Sequence, residues 1–361
     1  MRKSLSRREL LSWTLATAAG SRFVTASVQA STDKPSSSNF DGLKVSDATF
    51  SFLQKCARDD GGFSPSPDPQ YQGNSDTKES DLAAVTYAST LAKTVASELP
   101  HREKSVEFIQ SHQLPEGTFI NLQGDLNPKE DLAILYNTTQ GCVALRALGE
   151  KPKVDPVHAL DRFFAKDVFK QLPWYTLSFY PLFYAALGRP FPQEYRGSIA
   201  RHIAQNQAAD GYLGDHVAAT FHMVHFFRLM GEPTPRADAI VKRVLNDQRP
   251  DGGWHLKAPD WDVHACFDAV FILRQLSWDS AASRAAINRA AAWALTCQNS
   301  DCGFGHYPGW HSDMDAVYFQ LGTLIQAERI PGAKYDLPDA ETLSWGHAMT
   351  PGKIYARPKE Q

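Results

Sequence analysis

The 361-residue chain carries only five cysteines, an odd number that leaves at least one unpaired and is too few for a disulfide scaffold. It also lacks an excess of either charge, with 37 Lys and Arg against 40 Asp and Glu and a formal net of −3. That balance gives no electrostatic reason to expect a nucleic acid partner. After the first thirty residues no apolar run approaches the roughly 18 residues that a membrane helix needs. No Gly-x-Ser-x-Gly elbow and no phosphate-cradling glycine loop occurs. No stretch alternates apolar and polar residues between hairpin turns, as strands would. What is present is 43% hydrophobic residues with 21% charged ones, enough to bury a large core and too ordered a mix for wholesale disorder.

The N-terminus has the layout of an address label. A basic start with adjacent Arg7 and Arg8 leads into a mildly apolar stretch to Ala19, then a small-residue site at Val28-Gln29-Ala30. The pair of arginines, after Ser6 and before Leu10-Leu11, resembles the twin-arginine export signal of bacteria. Residues 1–30 are therefore expected to be a signal peptide directing export, followed by a Ser-rich linker over 31–44. Removing 1–30 takes away five bases and one acid, which moves the formal charge to −7.

The rest is organised by a repeat. A glycine-aromatic turn recurs at Asp60-Gly-Gly-Phe63, Glu116-Gly-Thr-Phe119, Asp210-Gly-Tyr212, Asp251-Gly-Gly-Trp254 and Asp301-Cys-Gly-Phe304. The marker glycines 62, 117, 211, 253 and 303 are 55, 94, 42 and 50 residues apart. The long step is about two units, and the apolar run Trp174–Leu187 fills it, so six units result. Before each turn the sequence predicts a helix ending in Gln or a polar cluster, such as Gln54, Gln110, Gln207, Gln248 and Gln298. After each turn it predicts a second helix, clearest at Asp81–Leu91, that is apolar on nearly every face and hence buried all round. The pattern is an all-α array of inner and outer helix pairs over 45–330, with a C-terminal tail over 331–361.

This repeated Gly-Gly-aromatic turn before an inner helix resembles the α/α toroid of the protein prenyltransferase β subunits and the squalene and terpene cyclases. The resemblance implies a closed six-fold ring with a central apolar cavity for an isoprenoid diphosphate or similar amphiphile. A helical partner subunit is part of what it implies. In such a ring the turns and the inner-helix N-termini share one mouth, which is suited to anions. Aromatic faces below it would stabilise a carbocation.

Within the resemblance, His216 in Gly214-Asp215-His216 matches a diphosphate-binding histidine, with Asp215 and Thr220 placed to fix its ring. Lys257 stands where the family has a diphosphate-binding cation. Asp262, His264 and Cys266 occupy the zinc-binding segment, and all three types ligate Zn2+. The family's third zinc ligand falls on Ala316, with His311 on the loop nearby. Asp313-Met314-Asp315-Ala316 is similar to the Asp-x-Asp-Asp acid of proton-initiated terpene cyclases, which makes Asp315 the candidate catalytic acid. His222 and His225, at i and i+3, read as packed core. The expected function is isoprenoid binding with prenyl transfer or cyclisation. The alternatives are an exported, non-catalytic binding or scaffold protein of the same fold and a secreted carbohydrate-active enzyme on a helical toroid.

Overall fold

The computed structural model describes residues 41–71, 76–257, 260, 261 and 263–333. The expected signal segment and most of the expected linker and tail lie outside the described residues. Thirteen α-helices are described: α1 (Gly42–Cys56), the short α2 (Asp76–Glu79), α3 (Asp81–Val95), α4 (Arg102–Ser111), α5 (Asp131–Ala147), α6 (Val157–Ala165), α7 (Phe179–Ala186), α8 (Gln193–Asn206), α9 (Val217–Leu229), α10 (Ala237–Asp247), α11 (Val263–Ser277), α12 (Ala281–Thr296) and α13 (Met314–Gln326).

Periodicity decides which helix goes where. The outer helices bury narrow stripes one turn apart: Ser105 and Ile109 in α4, Leu160 and Phe163 in α6, Ile199 and Ile203 in α8, Ile240 and Val244 in α10. The inner helices α3, α5, α7, α9, α11 and α13 carry apolar residues all round, and every residue of α9 from Val217 to Phe227 is buried. Each inner helix packs on the next, and α13 returns to α3. The ring closes. Closure is reinforced where the first and sixth units meet: Met314 N–H donates to the Pro65 carbonyl at 2.8 Å, and Ser66 Oγ donates to the Ser312 carbonyl at 2.7 Å. With neighbouring axes about 8–10 Å apart, opposite inner helices of a six-membered ring stand about 16–20 Å apart, and only side chains or a ligand can fill the space between.

The glycine-aromatic turns have one shared geometry. In all five, the residue at the outer-helix end donates to a carbonyl four residues on, as in Arg58 to Gly62 and Asn299 to Gly303, both at 2.9 Å. In four of them the leading Asp accepts a backbone N–H two residues ahead, from Gly62, Tyr212, Gly253 and Gly303, at 2.9–3.1 Å. Glutamine then joins the units. The Nε2 groups of Gln113, Gln207 and Gln248 each donate to a turn carbonyl (Gly117, Gly211, Gly252) and to a carbonyl in or just before the next outer helix (Val154, Pro235, Ala286).

Two details depart from expectation. The run Trp174–Leu187 is not one helix: a single 3-10 turn, Trp174–Thr176, precedes α7, whose Pro181 is tolerated because it falls in the first turn. The loop after the fourth turn forms a small antiparallel hairpin, β1 (His255–Lys257) and β2 (Asp260–Trp261). Among the described residues no helix is long and apolar enough to cross a membrane.

Two predictions test this packing. Gly117 has φ +98°, and a Cβ there would lie 2.7 Å from the Asp155 carbonyl oxygen, whereas Gly149 at φ +77° has nothing within 4 Å. Gly149→Ala should therefore cost only backbone strain, about 1–2 kcal/mol, and Gly117→Ala a further ~1–3 kcal/mol from overpacking. Equal losses in urea denaturation would contradict the turn-on-helix seating. The second concerns Asp268 on α11, which is fully buried; burial pushes its carboxyl well above the ordinary 3.8. The folded chain thus keeps a proton that the unfolded chain releases above that value, so stability drops as pH climbs from 3.8 towards the folded value. Asp268→Asn removes this loss. Relative to wild type its urea midpoint should improve steadily as pH rises above about 4; a constant offset would show that Asp268 ionises freely.

Candidate functional site

The N-termini of two neighbouring inner helices, α11 and α13, bring four ionisable side chains together. Asp313 caps α13, its Oδ1 accepting the Ala316 N–H at 2.7 Å. That cap fixes the first turn and turns Asp315, two residues on, toward α11. His264, in the first turn of α11, places Nε2 2.8 Å from Asp315 Oδ2 while its ring lies 3.9 Å, centroid to centroid, from Phe319. His306 comes from the loop after the fifth turn. Its Nε2 lies 3.0 Å from Asp313 Oδ2 and 3.5 Å from Asp315 Oδ2. Tyr71 OH donates to Asp313 Oδ2 at 3.0 Å.

Asp313, Asp315 and His264 are fully buried and His306 nearly so. Two carboxylates this close and this dry would repel strongly unless neighbours supply donors or positive charge, which the two imidazoles and the Tyr71 hydroxyl do. Such a cluster can hold and relay a proton. It can also hold a cation: ligand atoms of His306, Asp313 and Asp315 all lie within 4.8 Å of one another. One nitrogen and two carboxylate oxygens suit a divalent metal, and Asp313 keeps its other oxygen for the helix cap.

A hydroxyl-rich wall stands beside the cluster on α3 and α5. Tyr87 OH donates to Asp76 Oδ2 at 2.8 Å and its ring stacks on Tyr318 at 4.5 Å. Tyr136 stands beside both Tyr87 and Asp76, whose groups act on its hydroxyl. Burial first, then the charge of Asp76, pushes the Tyr87 and Tyr136 hydroxyls up, so both remain proton donors; Asp315 adds to the same effect. Along α9, α11 and α13 the neighbouring faces are aromatic: Phe267 lies 5.2 Å from Phe319 and 6.0 Å from Phe221, which is 4.8 Å from Phe271.

Asp315 and His264, singled out from two different motifs, are thus direct partners. Cys266 is not with them. Two residues along a helix is about 200° round its axis, and Cys266 packs instead beside Cys297 and Thr323, with burial pushing its thiol well up. His216 is half-buried and caps α9, its Nδ1 accepting the Ala219 N–H at 3.3 Å. Asp215 does not serve it but pairs with Arg243 at 2.9 Å, and Thr220 donates to the His216 carbonyl rather than to the ring. Lys257 ends β1, but its side chain, like all of Asp262, lies outside the described residues. His311 is exposed and lies 3.5 Å from Asp68. The mouth is also less electropositive than expected, because Ser80, His216 and Asp313 already occupy N–H groups of α3, α9 and α13. His306, Tyr71, Asp76, Tyr87 and Tyr136 were missed in the sequence. Only His306 left a trace there, two residues beyond the aromatic of the fifth turn.

Known proteins place this architecture. The model of the prenyltransferase alpha-alpha toroid domain matches residues 33–166 and 174–347. No curated protein matches the chain by sequence. A variant of the type II terpene cyclase MstE from Scytonema, in complex with geranylgeranyl dihydroxybenzoate, is similar over 80% of this chain and 97% of its own, with TM-score 0.53 and 16% identity. Protein geranylgeranyltransferase-I of Candida albicans, complexed with GGPP, is similar over 69% of this chain and 84% of its own, with TM-score 0.51 and 13% identity. At these identities the likeness is one of fold. With the family match running over most of the sequence and the ring closed as that fold requires, the chain belongs to the prenyltransferase alpha-alpha toroid family.

Proposed function

We propose that this protein takes an isoprenoid chain into the interior of the ring and that Asp315 protonates one of its double bonds, starting a carbocation cyclisation. The observation that carries this reading is the Asp315–His264 hydrogen bond at 2.8 Å, fully buried beside Phe319 and Phe267. A general acid needs a fixed carboxyl, shelter from water and a path for its proton. His264 and His306 both meet Oδ2, which orients the carboxyl and links it to Asp313 and Tyr71. The proton would pass from Asp315 to an alkene carbon, an internal double bond would attack the resulting cation, and loss of a proton would end the reaction. Aromatic faces stabilise positive charge at each stage, each contributing about 0.5–2 kcal/mol. Asp315→Asn keeps the shape and removes the acid. Product formed from a geranylgeranyl-bearing substrate should fall about 10²–10⁴-fold with binding retained, whereas unchanged turnover would eliminate Asp315 as the acid.

One observation favours a second reading. The His306, Asp313 and Asp315 ligand atoms are close enough to hold Zn2+. A bound zinc would supply Lewis-acid activation of a thiol or hydroxyl acceptor, while these three side chains would fix its place and His264 would orient Asp315. That arrangement suits prenyl transfer. Metal content decides between the two. On the acid reading, protein purified without chelator carries no stoichiometric metal. About one zinc per chain, lost in His306→Ala and in Asp313→Asn, would turn the assignment to the transferase.

A further inference from the structure

His225 is fully buried, and neither of its ring nitrogens has a hydrogen-bond partner among the described residues. Its direction follows from its helix. On α9, Phe221 meets Phe267 and Phe271 of α11, while His222 meets Ser178 and Phe179 at the start of α7. The face midway between those two neighbours looks into the ring, and one turn further on that face carries His225. Its ring lies 5.7 Å from Phe221 and 5.5 Å from Phe271. The inner helices all enter from the same end. Eight residues separate His225 from the start of α9, and one separates Asp315 from the start of α13, so at 1.5 Å per residue His225 sits about 10 Å deeper than the acid.

An imidazole stripped of water against hydrocarbon alone forfeits hydrogen bonds it had when unfolded, at a cost comparable to a lost core contact. Burial, and after it the charge of Arg228, holds this imidazole neutral, with one N–H donor and one bare nitrogen. A ligand oxygen that both donates and accepts would satisfy either nitrogen. A diphosphate would not suit the place: its charges would lie among Phe221, Phe271 and a neutral ring, with half-buried Arg228 the only charge acting on that ring among the described residues.

We infer that His225 is the head-group contact of the site, and that the ligand is an isoprenoid whose buried end bears an uncharged oxygen, such as an alcohol or phenol, rather than a diphosphate. This rests on the reading of the ring interior as an isoprenoid site. The chain then lies with its reactive alkene at Asp315 near the mouth and its oxygen at His225 below.

The test compares three probes by titration calorimetry in dilute detergent: farnesol, the hydrocarbon of the same skeleton without the hydroxyl, and farnesyl diphosphate. Wild type should bind farnesol about five- to tenfold more tightly than the hydrocarbon, the value of one buried hydrogen bond, and more tightly than the diphosphate. His225→Phe, whose ring fills the same space, should bring farnesol and hydrocarbon to equal affinity. Asp315→Asn should keep the wild-type order. Wild type that binds all three alike, or that prefers the diphosphate, overturns the head-group assignment while leaving the isoprenoid site intact. So does a farnesol preference that survives His225→Phe. Failure of wild type to bind any probe overturns both readings.

Discussion

The whole molecule depends on a carbonyl. In three of the five glycine-aromatic turns a turn carbonyl is collected by a glutamine side chain that also reaches the next outer helix. Gln113, Gln207 and Gln248 each bridge their own turn and the neighbouring outer helix with one amide group. Gly61, Gly117, Gly211 and Gly252 lie so close to that neighbour that any side chain would strike its backbone, as at Gly117 against Asp155. These contacts set the angle between successive helix pairs. Six helix pairs set at such angles return the last pair to the first, where Met314 bonds to Pro65. An open stack of the same helices would have no interior and no site.

Ring closure is also what makes the acidic cluster affordable. Tyr71 and Asp313 are 242 residues apart and share a hydrogen bond because the first and sixth units meet. Asp313 and Asp315 are buried beside each other only because His264, His306 and Tyr71 converge on their oxygens from three other segments. In such a network each partner compensates another, and removal of one leaves a desolvated charge. The cluster is therefore coupled to the fold itself, and Asp315 takes its geometry from closure.

The polar groups of the interior form a graded series. Near the mouth are carboxylates with their histidines and tyrosines, where a proton or a cation can be held. Asp268, one turn along α11 from His264, has its carboxyl pushed well up by burial. Deeper still is His225, neutral and ringed by phenyl groups. Between them the walls are aromatic.

The sequence by itself determined the helix pairs and that there are six of them, because these follow from local rules: periodicity, the glycine turns, the glutamines near the ends of several outer helices. It also marked Asp315 and His264, though from separate motifs. Their partnership was not legible, since helix phase reveals which face a residue occupies but not which neighbour meets it across 51 residues of chain. Cys266 shows the limit from the other side: nearness in sequence to His264 placed it on the opposite face of α11. His306 and Tyr71 lie in irregular loops, where no period betrays a direction, and the hairpin of β1 and β2 is too short to announce itself. Local propensity fixes elements one at a time; convergence of side chains from distant loops on one buried point is decided only when the ring shuts.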